Sequence, residues 1–145
     1  MIFVSTALEL EINNNNIMNN LILDAARNKI FLTFIFDKNI YTCSHENSKI
    51  NFEKLMILIN EFLVNNKCSL DYVDNIYVNR GPGSFAGIRN SLSTIKALFL
   101  TKKIDYYCFS FDDFKDSKAI EYADVPHLCE KYNIKKNLIN PIYLS

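Results

Sequence analysis

From residue 20 onward the chain moves between short, dense apolar runs and stretches where apolar positions recur every three or four residues. LILDAA (21–26) reads as a buried strand and KIFLTFIF (29–36) as a second, rich in β-branched and aromatic residues. IYTCS (40–44) is a third. Arg27-Asn28 and Asp37-Lys38-Asn39 supply turn chemistry between them, which predicts an antiparallel meander. Phe52, Leu55, Met56, Ile59, Phe62 and Leu63 then recur at helical spacing, so an amphipathic helix is predicted over 51–65, ending at Asn65-Asn66. VDNIYV (73–78) is a strand. A second helix is predicted from Ile88 to Lys102, with Ile88, Leu92, Ile95 and Leu98 or Phe99 on its inner face. IDYYCFSF (104–111) is the last strong strand. Beyond it the pattern weakens to short helices around 112–118 and 126–133 and an extended piece at PIYL (141–144).

This order is three strands, helix, strand, helix, strand, helix. It predicts an α/β fold in which an antiparallel unit feeds parallel strands through right-handed crossover helices. The same order builds the single ribonuclease-H-like (actin-like ATPase) lobe, a match that speaks to fold and leaves function open. Three regions are expected. Residues 1–19 form an N-terminal extension, residues 20–118 the lobe, and residues 119–145 a C-terminal segment. The extension contains Asn13–Asn16, a polar tract with little reason to pack, and Met18 is a candidate start. The competing reading of the extension is an ordinary short strand.

Composition narrows the classes. A chain of 145 residues, nearly half of them apolar, suits one domain with one core. Sixteen basic and sixteen acidic residues cancel, which argues against gripping nucleic acid by net charge. Cys43, Cys68, Cys108 and Cys129 form no C-x-x-C pair and have no histidine at ligand spacing. Reduced thiols in a cytoplasmic core are therefore expected, rather than a zinc site or a disulfide framework. The opening MIFVSTALEL lacks a basic leader and is too short to span a membrane.

The chain has only three glycines, Gly81, Gly83 and Gly87, and all lie in NRGPGSFAGIR (79–89). Elsewhere turns are made with Asn and Asp, so glycine is reserved for this loop. Glycine permits positive φ and close approach of another backbone or a ligand, and Pro82 stiffens the turn. The loop leaves a strand and opens a helix, which directs free N–H groups outward. It is not a Walker loop, because Ile88 rather than Lys follows Gly87. GPGSFA fits the dinucleotide pattern, but that pattern belongs on the first strand of a βαβ unit. A tight strand-to-helix turn with no ligand stands equally open.

GPGSFAGIR resembles the hallmark G-P-G-S-F-T-G-[LIV]-R of the TsaB (YeaZ) family of tRNA threonylcarbamoyladenosine biosynthesis proteins. LILDAARNKIFLTF resembles that family's opening strand, which ends in D-T-[SA], and PIYLS resembles its C-terminal P-x-Y-L-R. The likeness runs from Asn20 to Ser110 and resumes at Pro141. Ala25 and Ala86 stand where the family has Thr, removing hydroxyls that suit phosphate or metal, and Ser145 replaces the usual Arg. A larger second lobe is usual in the family, so the resemblance implies a shortened form, with residues 119–145 a remnant of that lobe and the C-terminal segment.

What the resemblance implies is a non-catalytic scaffold or activator subunit of the threonylcarbamoyladenosine-forming complex. It would pair with the catalytic TsaD subunit through helices of the two first lobes, with a TsaE ATPase assisting and tRNA reached through the complex. ATP or ADP and the divalent metal are expected on those partners, with no intrinsic cofactor, no membrane, and a homodimer when the chain is alone. The expected site is the loop Gly81, Pro82, Gly83, Ser84, Phe85, Gly87 and Arg89, with Asp24 as a residual nucleotide or metal contact or else a turn acceptor. Met56, Leu58, Ile59, Phe62 and Phe99 are the candidate partner interface, against the alternative of a wide core-facing stripe. Three rival readings remain. One is a self-associating nucleotide-binding actin-fold protein. Another is a ribonuclease-H-type metal nuclease using Asp24 with Glu53 or Glu61, disfavoured because the fourth strand ends in Asn79-Arg80-Gly81 with no acid. The third is a decayed paralogue that stabilises another protein.

Overall fold

The computed structural model describes residues 18–115 and 119–143. The expectations for residues 1–17, for the end of the 112–118 helix and for Ser145 fall outside them. Five strands form one mixed sheet in the order β3-β2-β1-β4-β5. They are β1 (Asn20–Asp24), β2 (Lys29–Phe36), β3 (Asn39–Glu46), β4 (Asn75–Asn79) and β5 (Asp105–Phe109). β1, β2 and β3 form the expected antiparallel meander, and β4 and β5 run parallel to β1.

The β2–β3 hairpin closes with Phe36 opposite Asn39, leaving a two-residue loop. Asp37 and Lys38 both take positive φ (51° and 67°), the condition a tight right-twisted hairpin imposes. No glycine is spent there. Along β1 and β4 the side chains alternate between two apolar layers. Leu21, Leu23, Ile76 and Val78 face one core cluster, while Ile22 and Tyr77 face the other. A strand buried on both faces must be apolar throughout, as LIL is.

The first layer is helical. The predicted helix over 51–65 is two helices, α1 (Lys49–Glu53) and α2 (Leu55–Asn65), hinged at Lys54. Ser48 caps α1, its Oγ accepting the Asn51 N–H at 3.2 Å. At the hinge Lys54 N–H turns back to the Asn51 carbonyl at 3.2 Å. The apolar spacing does not register this break, because Phe52 and Leu55 stay buried on either side of it. α2 ends with Lys67 left-handed. Lys67 N–H bonds the Val64 carbonyl and Cys68 N–H bonds the Leu63 carbonyl, the two bonds of a Schellman end. α3 (Phe85–Lys102) starts three residues before the predicted Ile88 and buries Ile88, Leu92, Ile95 and Leu98.

The second layer comes from residues after β5. A 3-10 turn (Phe111–Asp113) replaces the helix predicted from 112, and a second 3-10 turn covers Tyr122–Asp124. α4 (Val125–Lys131) then lays Val125, Leu128 and Cys129 against Ile22, Tyr77, Phe109 and Phe114. The chain next runs back along the free edge of β5, where Lys136 pairs antiparallel with Tyr107. Asn137 clamps this strap: its Oδ1 accepts the Tyr106 N–H at 2.9 Å and its own N–H donates to the Tyr106 carbonyl at 2.7 Å. The described part of 119–145 thus packs on the lobe's own sheet.

Candidate functional site

The glycine loop sits at the carboxyl end of β4, where open α/β sheets leave a crevice for ligands. Each glycine meets backbone. Gly81 has φ +109°, and a Cβ there would overlap the Ile142 carbonyl oxygen. A Cβ on Gly83 would overlap the Ala26 carbonyl oxygen, and one on Gly87 the Ala25 carbonyl oxygen and the Phe52 ring. The loop is therefore a three-way packing joint between the β1–β2 turn, α1 and the C-terminal strap. Its N–H groups are partly consumed by this role. Asn79 Oδ1 accepts from Gly81 (2.9 Å), the Ala26 carbonyl from Ser84 (2.9 Å) and Ser84 Oγ from Gly87 (3.2 Å).

The segment that resembles the family's C-terminal motif lies beside this loop. Ile142 N–H donates to the Arg80 carbonyl at 2.7 Å, and Tyr143 bridges Gly83 in parallel. Phe85 and Tyr143 are both exposed, with ring centroids 4.7 Å apart. Arg80 holds the strap from below, bonding the Asn140 carbonyl (3.0 Å) and Asp113 (2.8 Å).

Asp24, at the end of β1, is wholly buried, and both its oxygens are engaged. Oδ1 accepts the Ala26 N–H at 3.0 Å, while Oδ2 accepts the Tyr122 hydroxyl at 2.6 Å and lies 3.3 Å from Arg27 Nε. Arg27 in turn covers the Phe111 ring at 4.4 Å. Burial first, then the Asp24 carboxylate, pushes the Tyr122 phenol well above the usual range, so it remains a donor. This is the geometry of a turn acceptor, with both oxygens of Asp24 engaged inside the chain. What remains of the crevice is a cavity of about 170 Å³ bordered by Arg27, Asn79, Pro82 and Ser110.

The other predicted residues fall into place separately. Arg89 is exposed on α3, and Ala86 is exposed one turn before it. Ala25 is fully buried. Leu58, Ile59 and Phe62 lie in the core of this chain, with Ile59 at 0% exposure, so they do not form an outer interface. Met56 and Phe99 are half-buried against that core. The apolar side chains that α1, α2 and α3 present outward are Ile50, Ile57, Val64, Phe85 and Leu100. Glu53 and Glu61 are exposed on the helices, and no group of three or more potential metal ligands exists among the described residues. The four thiols are free, and burial pushes those of Cys108 and Cys129 up to about 12. Sequence reasoning missed Tyr122, Arg27 and the Arg80–Asp113 tie. The EYAD segment carrying Tyr122 has no motif to flag it.

The family model described as "TsaD: tRNA N6-adenosine threonylcarbamoyltransferase" matches residues 46–110, which include α1, α2, α3, β4 and β5. Two curated proteins named "tRNA threonylcarbamoyladenosine biosynthesis protein TsaB" are each 33% identical to this chain. That from Buchnera aphidicola subsp. Baizongia pistaciae (strain Bp) aligns with 45% of this chain and 35% of its own length. That from Buchnera aphidicola subsp. Schizaphis graminum (strain Sg) aligns with 50% and 35%. The resemblance to the TsaB (YeaZ) family holds. The chain spans about a third of the length of these relatives. Among solved structures, "YeaZ from Pseudomonas aeruginosa" superposes with a TM-score of 0.60 at 19% identity, over 65% of this chain and 44% of that one. A second, "an uncharacterized protein with similarity to peptidase YEAZ from Pseudomonas aeruginosa", matches to the same extent. At that identity the likeness establishes the α/β fold alone, with which the expected ribonuclease-H-like lobe is consistent. No described helix is long and apolar enough to cross a membrane.

Proposed function

We propose that this chain acts in tRNA threonylcarbamoyladenosine formation as a non-catalytic scaffold subunit. In this reading its helical layer docks on a TsaD-like catalytic partner, while nucleotide and metal are held by the partner subunits. The observation carrying the reading is the outward apolar face of α1, α2 and α3. Ile50, Ile57, Val64 and Leu100 are each more than half exposed on helices whose inner faces already fill the core. Single exposed apolar residues are ordinary, but four on one helical layer suit a partner of similar build. The stretch that is similar to the TsaD family covers this same layer, which favours pairing of two related lobes. The buried, fully bonded Asp24 supports leaving the nucleotide to the partner.

The test is co-expression of the full chain with the TsaD-like protein of the same organism, followed by co-purification. Ile57→Asp combined with Leu100→Asp is the interface variant, because both positions are exposed and the fold should survive. A stoichiometric complex lost in that variant supports the reading. A wild-type chain that ignores the partner, or a complex indifferent to the variant, overturns it. Self-association of the wild type through the same residues would favour the homodimeric alternative.

A further inference from the structure

At the other end of the strands from the glycine loop, on the sheet face that carries α4, lies a half-open cavity of about 730 Å³. That is the size of small-molecule and side-chain pockets. It begins at Met18 and Asn75, at the entry to β1 and β4, and is roofed by α4. It shares no residue with the crevice at Asn79 and Pro82.

The chemistry of its wall is one-sided. Tyr77 and Tyr107 face each other across β4 and β5, and their rings stack 4.9 Å apart at 9°. Neither phenol oxygen has a hydrogen-bond partner among the described residues. Glu130, exposed on α4, brings a carboxylate that makes no ion pair among the described residues. Asn75 and Asn133 add amide oxygens. No lysine or arginine lines the cavity. Burial first, then its neighbours, hold the Tyr77 phenol protonated, and Glu130 is the one of those neighbours that carries a charge at neutral pH. Aromatic faces, neutral acceptors and one unpaired carboxylate form the constellation that selects a cation. Tyr77 is buried beneath this stack and Tyr107 is its half-buried member, so a planar guanidinium would lie against Tyr107 while donating to a carboxylate.

We propose that this cavity is a binding site for an organic cation, a guanidinium or ammonium group that stacks on the tyrosine wall and pairs with Glu130. The cation comes either from a free amine or from a basic side chain of a partner protein. This site is independent of the assembly reading above and stands or falls separately.

The test uses the isotope-labelled full chain and NMR, with three probes: N-acetyl-arginine amide, its uncharged isostere N-acetyl-citrulline amide, and spermidine. The arginine probe is expected to give saturable shifts at Asn75, Tyr77, Tyr107 and Glu130, with the citrulline probe about tenfold weaker or worse. Glu130→Gln, on the exposed side of α4, keeps the spectrum of the folded chain and weakens the arginine probe by about tenfold. Saturation by spermidine as well assigns the site to free amines, whereas saturation by the arginine probe alone assigns it to a protein side chain. The proposal is overturned if no charged probe saturates these residues by about 10 mM. It is equally overturned if citrulline matches arginine, or if Glu130→Gln binds as the wild type does.

Discussion

The Asp24–Tyr122 contact joins residues 98 apart in sequence and closes the end of β1, so its removal should be felt by the whole lobe. Tyr122→Phe deletes one oxygen and keeps the ring, which remains packed near Phe31 (5.6 Å) and Phe111 (6.0 Å). The lost bond is short, 2.6 Å, and its acceptor is a fully buried carboxylate. Hydrogen bonds to charged groups contribute roughly 1.5–3 kcal/mol. Arg27 Nε at 3.3 Å and the Ala26 N–H still serve Asp24, so the lower half of that range, about 1.5–2 kcal/mol, is expected. For a chain of this size that lowers Tm by roughly 4–8 °C. The assay is urea unfolding followed by circular dichroism, with an unchanged slope and a lower midpoint. An alkaline series adds a second readout. The folded state keeps the Tyr122 proton above the ordinary tyrosine pKa of 10.0, so above that pH the unfolded chain binds fewer protons than the folded one. Stability therefore falls as pH rises past 10, and Tyr122→Phe should fall less steeply, because its term is gone. A variant within about 0.5 kcal/mol of wild type with the same alkaline slope would refute the clasp.

Three further outcomes follow from the same geometry. Gly87→Ala drives a methyl group into the Ala25 carbonyl and the Phe52 ring, so a loss of about 1–3 kcal/mol in the same unfolding assay is expected. Asn137→Ala frees the edge of β5. Hydrogen exchange at the Tyr106 amide should quicken at least about tenfold, while exchange in β1 stays unchanged. Ile57→Ser should leave stability within about 0.5 kcal/mol, whereas Ile59→Ala, two positions along the same helix, should cost about 2–4 kcal/mol.

Those last two residues show where periodicity stops being informative. The spacing of Phe52, Leu55, Ile59 and Phe62 locates a buried stripe, and the structure buries all four. The same spacing does not say how wide the buried arc is. Leu58, a candidate for the partner interface by sequence, is core, while its neighbour Ile57 is exposed. The strands and the antiparallel meander are readable because LIL, IYV and the hairpin turn each answer to one local rule. The Lys54 hinge was not, since a one-residue break leaves the apolar phase intact on both sides. After Phe109 the chain folds on contacts made with distant strands, so local pattern weakens where tertiary packing takes over.

The glycine loop carries the same lesson into the site. Three glycines in one loop report that something comes close to the backbone, and sequence cannot say whether it is a ligand or the protein itself. Here each glycine faces a carbonyl of this chain, at Ala25, Ala26 and Ile142. Two of those carbonyls belong to the turn after Asp24, and the third belongs to the C-terminal strap. The joint therefore fixes β1, α3 and the strap relative to one another. Tyr122 closes the same strand end from the opposite layer. With both oxygens of Asp24 bonded inside the chain, the end of β1 is tied both to its own turn and to the layer that carries Tyr122. Rigidity at that corner positions α3 and, through Phe52, α1. Under the proposed scaffold role, a partner docking on those helices would depend on that rigidity.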